Sequence, residues 1–308
     1  MLISEATQET ISYIKSRGFS PNTIEWYEMG LRLFSKYLAG QKINDIEDII
    51  FSDLQEYLNY LQTRPRMDGK AGKLSTSTIN SHIKVLRGCF KCLQLNRKVT
   101  ENPAKDIKYF KKEYRVINSF SPEQLKSLFS VISRDTFTGQ RNRLLFLVLI
   151  DCGLRISETI GIQVDDIYFD QRLIKVMGKG RKERFVPFGR YLEEELQLWI
   201  QTHKLANKDR IFFSQRRKSI TSAAIRAHLK QYGKQADIKG VEVRPHVFRH
   251  TFAIMFLRNG GNPLILQRIL GHATLDMTQR YCNLLVEDLQ REHDKFGPGD
   301  KLNLDRNY

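Results

Sequence analysis

The feature that most constrains the fold is a strongly apolar segment with three basic side chains near its start, PHVFRHTFAIMFLRNGG at 245–261. Proline is favoured in the first turn of a helix and glycine after its end, so we predict a helix over 246–259. His246, Arg249 and His250 are three and four residues apart, which places them on one face. A buried arginine needs a partner. Arg249 must therefore pair with a carboxylate of another helix or face an anion that the protein binds.

Isolated polar residues recur in similar settings elsewhere. Arg155 follows an apolar helix and a glycine turn in CGLRISE, and His272 lies in LGHAT, between two short predicted helices. Tyr281 follows nine residues after His272, and Lys179 lies at the tip of a predicted hairpin, GKGRK. No cluster of carboxylates accompanies them, which weakens the interpretation that the arginines only form internal ion pairs.

This set of side chains suits a phosphodiester. Two guanidinium groups can clamp the phosphate oxygens, and histidines can donate to the same oxygens or move protons. Fixed donors favour the more negative transition state over the ground state. A tyrosine can be the nucleophile, a hairpin lysine can protonate the leaving oxygen, and no metal or cofactor is required. From the residues alone, Lys179, Arg181 and Lys182 are equally good candidates for that proton donor.

The charge distribution also points to a polyanion. The chain has 50 Lys and Arg against 34 Asp and Glu, a net charge of +16. Residues 1–63 carry 5 basic and 9 acidic residues (net −4), whereas residues 64–112 carry 13 and 3 (net +10). A concentrated basic block predicts a nucleic-acid surface, although a solvated face is the plainer alternative. The candidate DNA-contacting residues are Lys73, Lys84, Arg87, Lys91, Arg181 and Lys182.

The helix signals divide the chain into two domains. Ser20-Pro21 and Ser75 open helices, and Ser52 is expected to cap another one that runs to Leu61, so residues 1–110 should form a four-helix domain. A charged linker follows at 111–120, and residues 121–308 should form a second domain of helices with a small antiparallel sheet. We expect strands at 173–177, 184–188 and 211–213, a helix from Thr274 to Tyr281 and a last amphipathic helix at 284–295.

Several classes of protein are excluded. No run of eighteen apolar residues predicts a membrane span, and the first residues do not resemble a secretory signal. The four cysteines do not suggest a disulfide framework at this length, so a reducing cytoplasm is expected. Cys89 and Cys92 form a single CxxC within a predicted helix, which we interpret as packing rather than a metal site.

At this point the motifs show a resemblance to a known family. CGLRISE, MGKGRKER, HVFRH, LGH and Tyr281 resemble, in order and spacing, the active-site blocks of the tyrosine recombinase (phage integrase) family. RGFSPNTIEWY and ENPA resemble its N-terminal core-binding domain, so the resemblance spans about residues 5–290. Within the family, the sequence most resembles Xer-like recombinases or small transposon and plasmid recombinases. The resemblance implies a SAM-like four-helix core-binding domain and an α+β catalytic domain.

The resemblance also implies roles for individual residues. Glu158 matches the supporting acidic position, although it could be no more than a residue favoured in a first helical turn. Lys179 occupies the Gly-Lys-Gly position and is preferred over Arg181 and Lys182. His250 lies beyond the family's block, so we expect a structural role with a partner inside the protein. Cys282 departs from the residue of many relatives, which have threonine there. The implied catalytic residues are Arg155, Lys179, His246, Arg249, His272 and Tyr281.

The implied activity is site-specific DNA recombination through a 3′-phosphotyrosine intermediate, independent of ATP and of cofactors, in integration, excision or resolution. The implied partners are double-stranded DNA half-sites and further copies of the chain. The chain is expected to be a homotetramer on paired sites and a monomer free in solution. Its expected location is the cytoplasm, at the nucleoid. Two other readings stay open, a type IB topoisomerase-like DNA relaxing enzyme and a non-catalytic DNA-binding accessory protein.

Overall fold

The computed structural model describes residues 1–65, 72–111, 118–178, 182–272, 274 and 281. The chain divides into two compact units, Met1–Arg115 and Val116–Tyr308. Their elements are mainly helical with one small antiparallel sheet, which confirms the predicted fold class. In this described part, no helix has both the length and the apolar composition needed to cross a membrane.

In its described residues, the first unit has four helices: α1 (Ile3–Ser16), α2 (Pro21–Gly40), α3 (Phe51–Thr63) and α4 (Thr76–Leu95). Ser20 and Ser75 cap α2 and α4 as predicted, because their side-chain oxygens accept the backbone N–H groups of Thr23 and Thr78. The predicted cap at Ser52 is wrong. The carboxylate of Asp53 instead accepts the N–H of Ile50, so α3 begins one residue before Ser52.

The core of the first unit lies between the apolar faces of these helices. Tyr57 and Phe90 are fully buried, and the Tyr57 hydroxyl lies 3.3 Å from Nδ1 of His82. Cys89 and Cys92 are both buried on α4, and the Cys89 thiol contacts the Thr10 hydroxyl at 3.2 Å. Burial raises the pKa of Cys89 to about 12, which keeps the sulfur protonated. This CxxC therefore packs in the core.

The second unit places seven helices around a three-stranded sheet in the described residues. The strands are β1 (Ile167–Tyr168), β2 (Leu173–Met177) and β3 (Glu183–Pro187), paired antiparallel in the order β1-β2-β3. The helices are α5 (Pro122–Ser130), α6 (Phe137–Cys152), α7 (Ile156–Gly161), α8 (Arg190–His203), α9 (Ser222–Gln235), α10 (Pro245–Arg258) and α11 (Pro263–Leu270). The predicted hairpin is confirmed within one residue, whereas β1 was not predicted.

The strand predicted at 211–213 does not form. Only isolated bridges form here, one between Arg210, just before the segment, and Gln163, and one between Phe213, its last residue, and Ser219. Side chains take up the carbonyls that a strand would offer to a neighbour: Trp199 Nε1 donates to Ile211 O, and Arg141 donates to Phe213 O. The apolar run is therefore buried as an irregular core segment.

Helices α6 and α10 form the centre of the second core. Residues 144–149 of α6 include five buried apolar side chains, and Phe146 packs against Phe248 of α10 with ring centroids 5.7 Å apart. Because α6 is buried on most of its surface, its sequence has little amphipathic pattern. Gly153 ends α6 with a left-handed conformation, φ 61°. Of the expected helix at 274–281 only the two end residues are described, and the expected helix at 284–295 lies outside the described residues.

Candidate active site

Arg249 lies on α10 and is 4% exposed, which confirms that its guanidinium is buried. Nη1 donates to the carbonyl oxygen of Gly153 at 2.9 Å, and Nη2 donates to that of Leu270 at 2.6 Å. These carbonyls lie at the C-terminal ends of α6 and α11. No carboxylate lies within salt-bridge distance of Arg249 in the described part of the chain. The buried arginine is thus held by neutral acceptors, and burial followed by the charge of Arg155 lowers its pKa to about 10.

Arg155 caps the N-terminus of α7 and is tied to Glu158. Its backbone N–H donates to Glu158 Oε2 and its Nη1 donates to Oε1, both at 2.9 Å. The Arg155 side chain is 32% exposed, whereas that of Glu158 is 5% exposed. The carboxylate therefore holds one edge of the guanidinium, and the side chain keeps access to solvent.

Arg184 on β3 is a site residue that the sequence analysis missed. Nη1 and Nη2 donate to the two carboxylate oxygens of Glu158 at 3.0 and 2.9 Å, and Nε donates to the carbonyl of Ile269 at 2.8 Å. Arg184 is one of four basic residues in MGKGRKER, so its composition does not single it out. The sequence signal that could have identified it is the alternation of side chains along a strand, which places Arg184 on the same face as the buried Val186.

Glu158 is consequently a buried carboxylate between two arginines. Burial alone would raise its pKa, but the hydrogen bonds from Arg184 and from the Arg155 backbone outweigh burial and lower the pKa below the ordinary value. It stays ionised at neutral pH. Glu158 links α7, which carries Arg155, to β3 and, through Arg184, to the end of α11.

Three histidines and a tyrosine are the remaining described side chains of the site. Tyr281 is 3% exposed, and its hydroxyl lies 2.7 Å from Nδ1 of His250. The His272 ring lies nearly parallel to the Tyr281 ring, with centroids 6.3 Å apart. His246 and His250 stack one turn apart at 6.3 Å, as expected for positions i and i+4. His250 thus has a partner within the protein, and that partner is the tyrosine.

All three imidazoles lie in a buried and positively charged environment. Burial first, and then the nearby arginines, lower the pKa of His246 and lower that of His272 to about 4. Burial, His246, Arg249 and Arg244 lower the pKa of His250 to about 4. The free protein therefore holds neutral histidines beside cationic arginines, an arrangement that favours an incoming anion.

The structure thus brings together most of the predicted site residues. Arg155, Glu158, His246, Arg249, His272 and Tyr281 come from α7, α10 and the segment after α11. Lys179 and Arg181 lie outside the described residues, and Lys182 is exposed just before β3. No group of three or more His, Cys, Asp or Glu side chains that could hold a metal is found among the described residues.

The predicted DNA-contacting residues of the first unit are accessible. Lys84, Arg87 and Lys91 are three, four and seven residues apart on α4, so they share a face. Lys84 and Lys91 are exposed and Arg87 is half-buried, with its guanidinium 5.4 Å from the centroid of the Tyr109 ring. Lys73 is exposed in the segment before α4. Lys84, Arg87 and Lys91 therefore form a basic surface on one side of α4.

Comparison with known proteins gives a consistent result for both units. Residues 118–287 match the phage integrase family, and residues 10–96 match the phage integrase N-terminal SAM-like domain. Tyrosine recombinase XerC of Anoxybacillus flavithermus is 32% identical over 288 residues, which cover 91% of this chain and 93% of that protein. XerC of Listeria welshimeri is 31% identical and covers 94% of this chain and 97% of that protein.

Solved structures show the same fold. The XerH site-specific recombinase bound to a palindromic difH substrate has a TM-score of 0.72 at 22% identity, covering 91% of this chain and 81% of that one. The Tn1549 transposon integrase in complex with transposon right end DNA has a TM-score of 0.72 at 22% identity, covering 96% and 99%. With its matches to both family domains and to relatives above 30% identity, this chain belongs to the phage integrase family of tyrosine recombinases.

Proposed function

We propose that this protein is a site-specific DNA recombinase that cuts and rejoins strands through a covalent 3′-phosphotyrosine at Tyr281. The observation that carries the proposal is the convergence of a buried tyrosine hydroxyl, neutral histidines and two arginines whose charges are not fully neutralised by any carboxylate of the described residues. A phosphodiester supplies the anion that such a site lacks. Its transition state carries more negative charge than its ground state, so fixed cationic donors lower the barrier.

In this proposal each arginine clamps the scissile phosphate in a different way. Arg249 is fixed by two backbone carbonyls, so its remaining N–H groups are held in place before the DNA arrives. Arg155 is tied to Glu158 along one edge, and its exposed part can turn toward a phosphate oxygen. Preorganised donors cost little reorganisation during the reaction, which is the main source of electrostatic catalysis.

The remaining roles complete the transesterification. His246 and His272 donate to the phosphate oxygens, and Tyr281 attacks phosphorus to form the tyrosine–phosphate bond. Lys179 protonates the departing 5′-oxygen. The free 5′-hydroxyl of a partner strand then reverses the step, so the energy of the broken bond is kept in the phosphotyrosine and no ATP is consumed.

The basic surface supports the proposal that the N-terminal unit grips the duplex. We assign residues 1–110 to a core-binding domain, 111–120 to a linker and 121–308 to the catalytic domain. Lys73, Lys84, Arg87 and Lys91 contact phosphates, with Arg181 and Lys182 of the hairpin, and fix the position of the protein on its half-site.

The number of protein copies in the proposed assembly follows from the exchange of strands between two DNA duplexes. Two duplexes with two half-sites each need four copies, so we propose a homotetramer on paired sites and a monomer free in solution. The similarity to XerC and to a transposon integrase supports either resolution of replicons or movement of a mobile element. In either role, the protein would act on DNA in the cytoplasm.

The direct test is a nicked suicide substrate, in which loss of a short strand traps the covalent adduct. Wild-type protein should form an adduct that peptide mapping assigns to Tyr281. Tyr281→Phe should bind the half-site with unchanged affinity and form none. An adduct at the wild-type level in Tyr281→Phe would refute the assignment. Relaxation of plasmids that lack a site would favour a topoisomerase, and binding without any adduct would favour an accessory protein.

A further inference from the structure

His250 is the site residue to which neither the motifs nor the proposed chemistry assigns a reaction step. It follows Arg249 on α10, and its side chain is half-buried. Nδ1 lies 2.7 Å from the Tyr281 hydroxyl oxygen, a length typical of a strong hydrogen bond. The ring of His272 lies nearly parallel to the tyrosine ring, with centroids 6.3 Å apart. The hydroxyl proposed to attack phosphorus is therefore in contact with an imidazole nitrogen inside the protein.

The surroundings of His250 keep its imidazole neutral. Among the described residues, the charged or titratable groups that act on it besides Tyr281 are Arg244 at the N-cap of α10, His246 and Arg249 on α10, and His272 beyond α11. Burial and these neighbours hold the pKa of His250 at about 4, so the imidazole is neutral at neutral pH. A neutral imidazole has one acceptor nitrogen, and a tyrosine phenol ordinarily keeps its proton at this pH. We assign the ring proton to Nε2, so that Nδ1 accepts the hydrogen bond from the phenol O–H.

We propose that His250 is a further catalytic residue, which takes the proton of the Tyr281 hydroxyl as its oxygen attacks the scissile phosphate. This inference rests on the proposed function, in which Tyr281 is the nucleophile. The bond from the tyrosine oxygen to phosphorus forms and the bond from phosphorus to the 5′-oxygen breaks. The tyrosine proton moves to Nδ1, and the leaving oxygen receives a proton from Lys179. During rejoining, the protonated His250 returns its proton to the departing tyrosine oxygen.

The same charges explain why the histidine would be active only on DNA. In the free protein, the positive charge of Arg249 and the other cations opposes protonation of His250. A phosphate held by Arg249 brings a negative charge that offsets this opposition, and the transition state brings more. The imidazole thus becomes a stronger base when the scissile phosphate is in place, so an unbound protein does not activate its tyrosine.

The first measurement separates proton transfer from simple contact. Asn at position 250 places an amide oxygen near the position of Nδ1, so His250→Asn can accept the hydrogen bond but cannot take the proton. We expect single-turnover cleavage of the suicide substrate to fall by about 10²-fold or more, with half-site affinity and thermal stability unchanged. His228→Asn is the matched control, because His228 also stacks on a tyrosine of the same unit, Tyr232, at 6.2 Å. The His228→Asn variant should cleave the suicide substrate at the wild-type rate.

The second measurement uses a nucleophile that needs less help. Fluorotyrosine has a more acidic phenol than tyrosine, so its oxygen attacks with less dependence on a base. Fluorotyrosine placed at position 281 should change the wild-type rate little, yet it should recover the His250→Asn rate by about tenfold or more. A residue that only packs against the tyrosine would not give this selective rescue.

Two results would overturn the inference. Cleavage by His250→Asn at the wild-type rate would show that the contact is not used, and a slow variant without fluorotyrosine rescue would show that it only positions the ring. Failure of the proposed function looks different. In that case Tyr281→Phe would retain its adduct, or the wild-type protein would form none, whatever residue stands at position 250.

Discussion

The ion pair between Arg184 and Glu158 offers the sharpest test of the site's construction. Arg184→Met keeps an unbranched chain of similar length but removes every donor. Both carboxylate oxygens of Glu158 lose a hydrogen bond, and the Ile269 carbonyl loses its donor. The side chains are 13% and 5% exposed, so water replaces these contacts poorly.

The expected loss of unfolding free energy in Arg184→Met follows from the burial of the Arg184–Glu158 pair. Removing one partner of a buried ion pair costs about 3–5 kcal/mol, because the other charge is left unpaired. Glu158 keeps its hydrogen bonds from Arg155, so we expect a value at the lower end, about 3 kcal/mol for unfolding of the second unit. Lys239→Met is the matched control. Its partner is Asp237, and the two side chains are 82% and 78% exposed, so the loss should stay below about 1 kcal/mol.

The assay uses the placement of the two tryptophans. Trp26 lies on α2 in the first unit and Trp199 on α8 in the second. In a Trp26→Phe background, urea unfolding followed by fluorescence reports the second unit alone. A loss for Arg184→Met that is no larger than the loss for Lys239→Met would refute the reasoning, since the bidentate pair would then contribute no more than an exposed one.

Three further predictions concern stability. Glu158 has a lowered pKa in the folded state, so its contribution is present above the unfolded pKa and is lost as the pH falls through the folded one; Glu158→Gln should remove this part of the acid destabilisation in urea titrations at stepped pH. Gly153→Ala should cost more than about 1 kcal/mol by calorimetry, because φ is 61° and the added methyl would meet the ring of Phe252. Tyr57→Phe should destabilise the first unit by about 1 kcal/mol, read from Trp26 fluorescence, through loss of the contact with His82.

The sequence predicted the elements whose signals are local. Ser20-Pro21 and Ser75 are caps that act within one helical turn, and each begins a helix where expected. The spacing of His246, Arg249 and His250 likewise placed them on one helical face before any tertiary contact was known. Such features depend on residues three or four positions apart, so the sequence alone contains them.

The features that were missed depend on distant contacts. The strand expected at 211–213 fails because Trp199 and Arg141, from two other helices, take up its carbonyls. Arg184 meets Glu158 across 26 residues and Ile269 across 85. His250 meets Tyr281 across 31 residues. The periodicity of a sequence does not reveal contacts between residues so far apart. Strand alternation could have shown which face of β3 carries Arg184, but not that it meets Glu158.

The anchoring of Arg249 has a consequence for how such a site changes over evolution. Its two partners are main-chain carbonyl oxygens, so the residues at positions 153 and 270 matter to it only through the backbone conformation that they allow, as Gly153 does with its φ of 61°. No acidic side chain has to mutate together with Arg249, so correlated substitutions between aligned sequences would leave this pair of contacts undetected. What must be inherited is the path of the main chain at the ends of α6 and α11. The arginine's position is thus encoded in backbone shape, and neighbouring side chains are free to diverge so long as that shape survives.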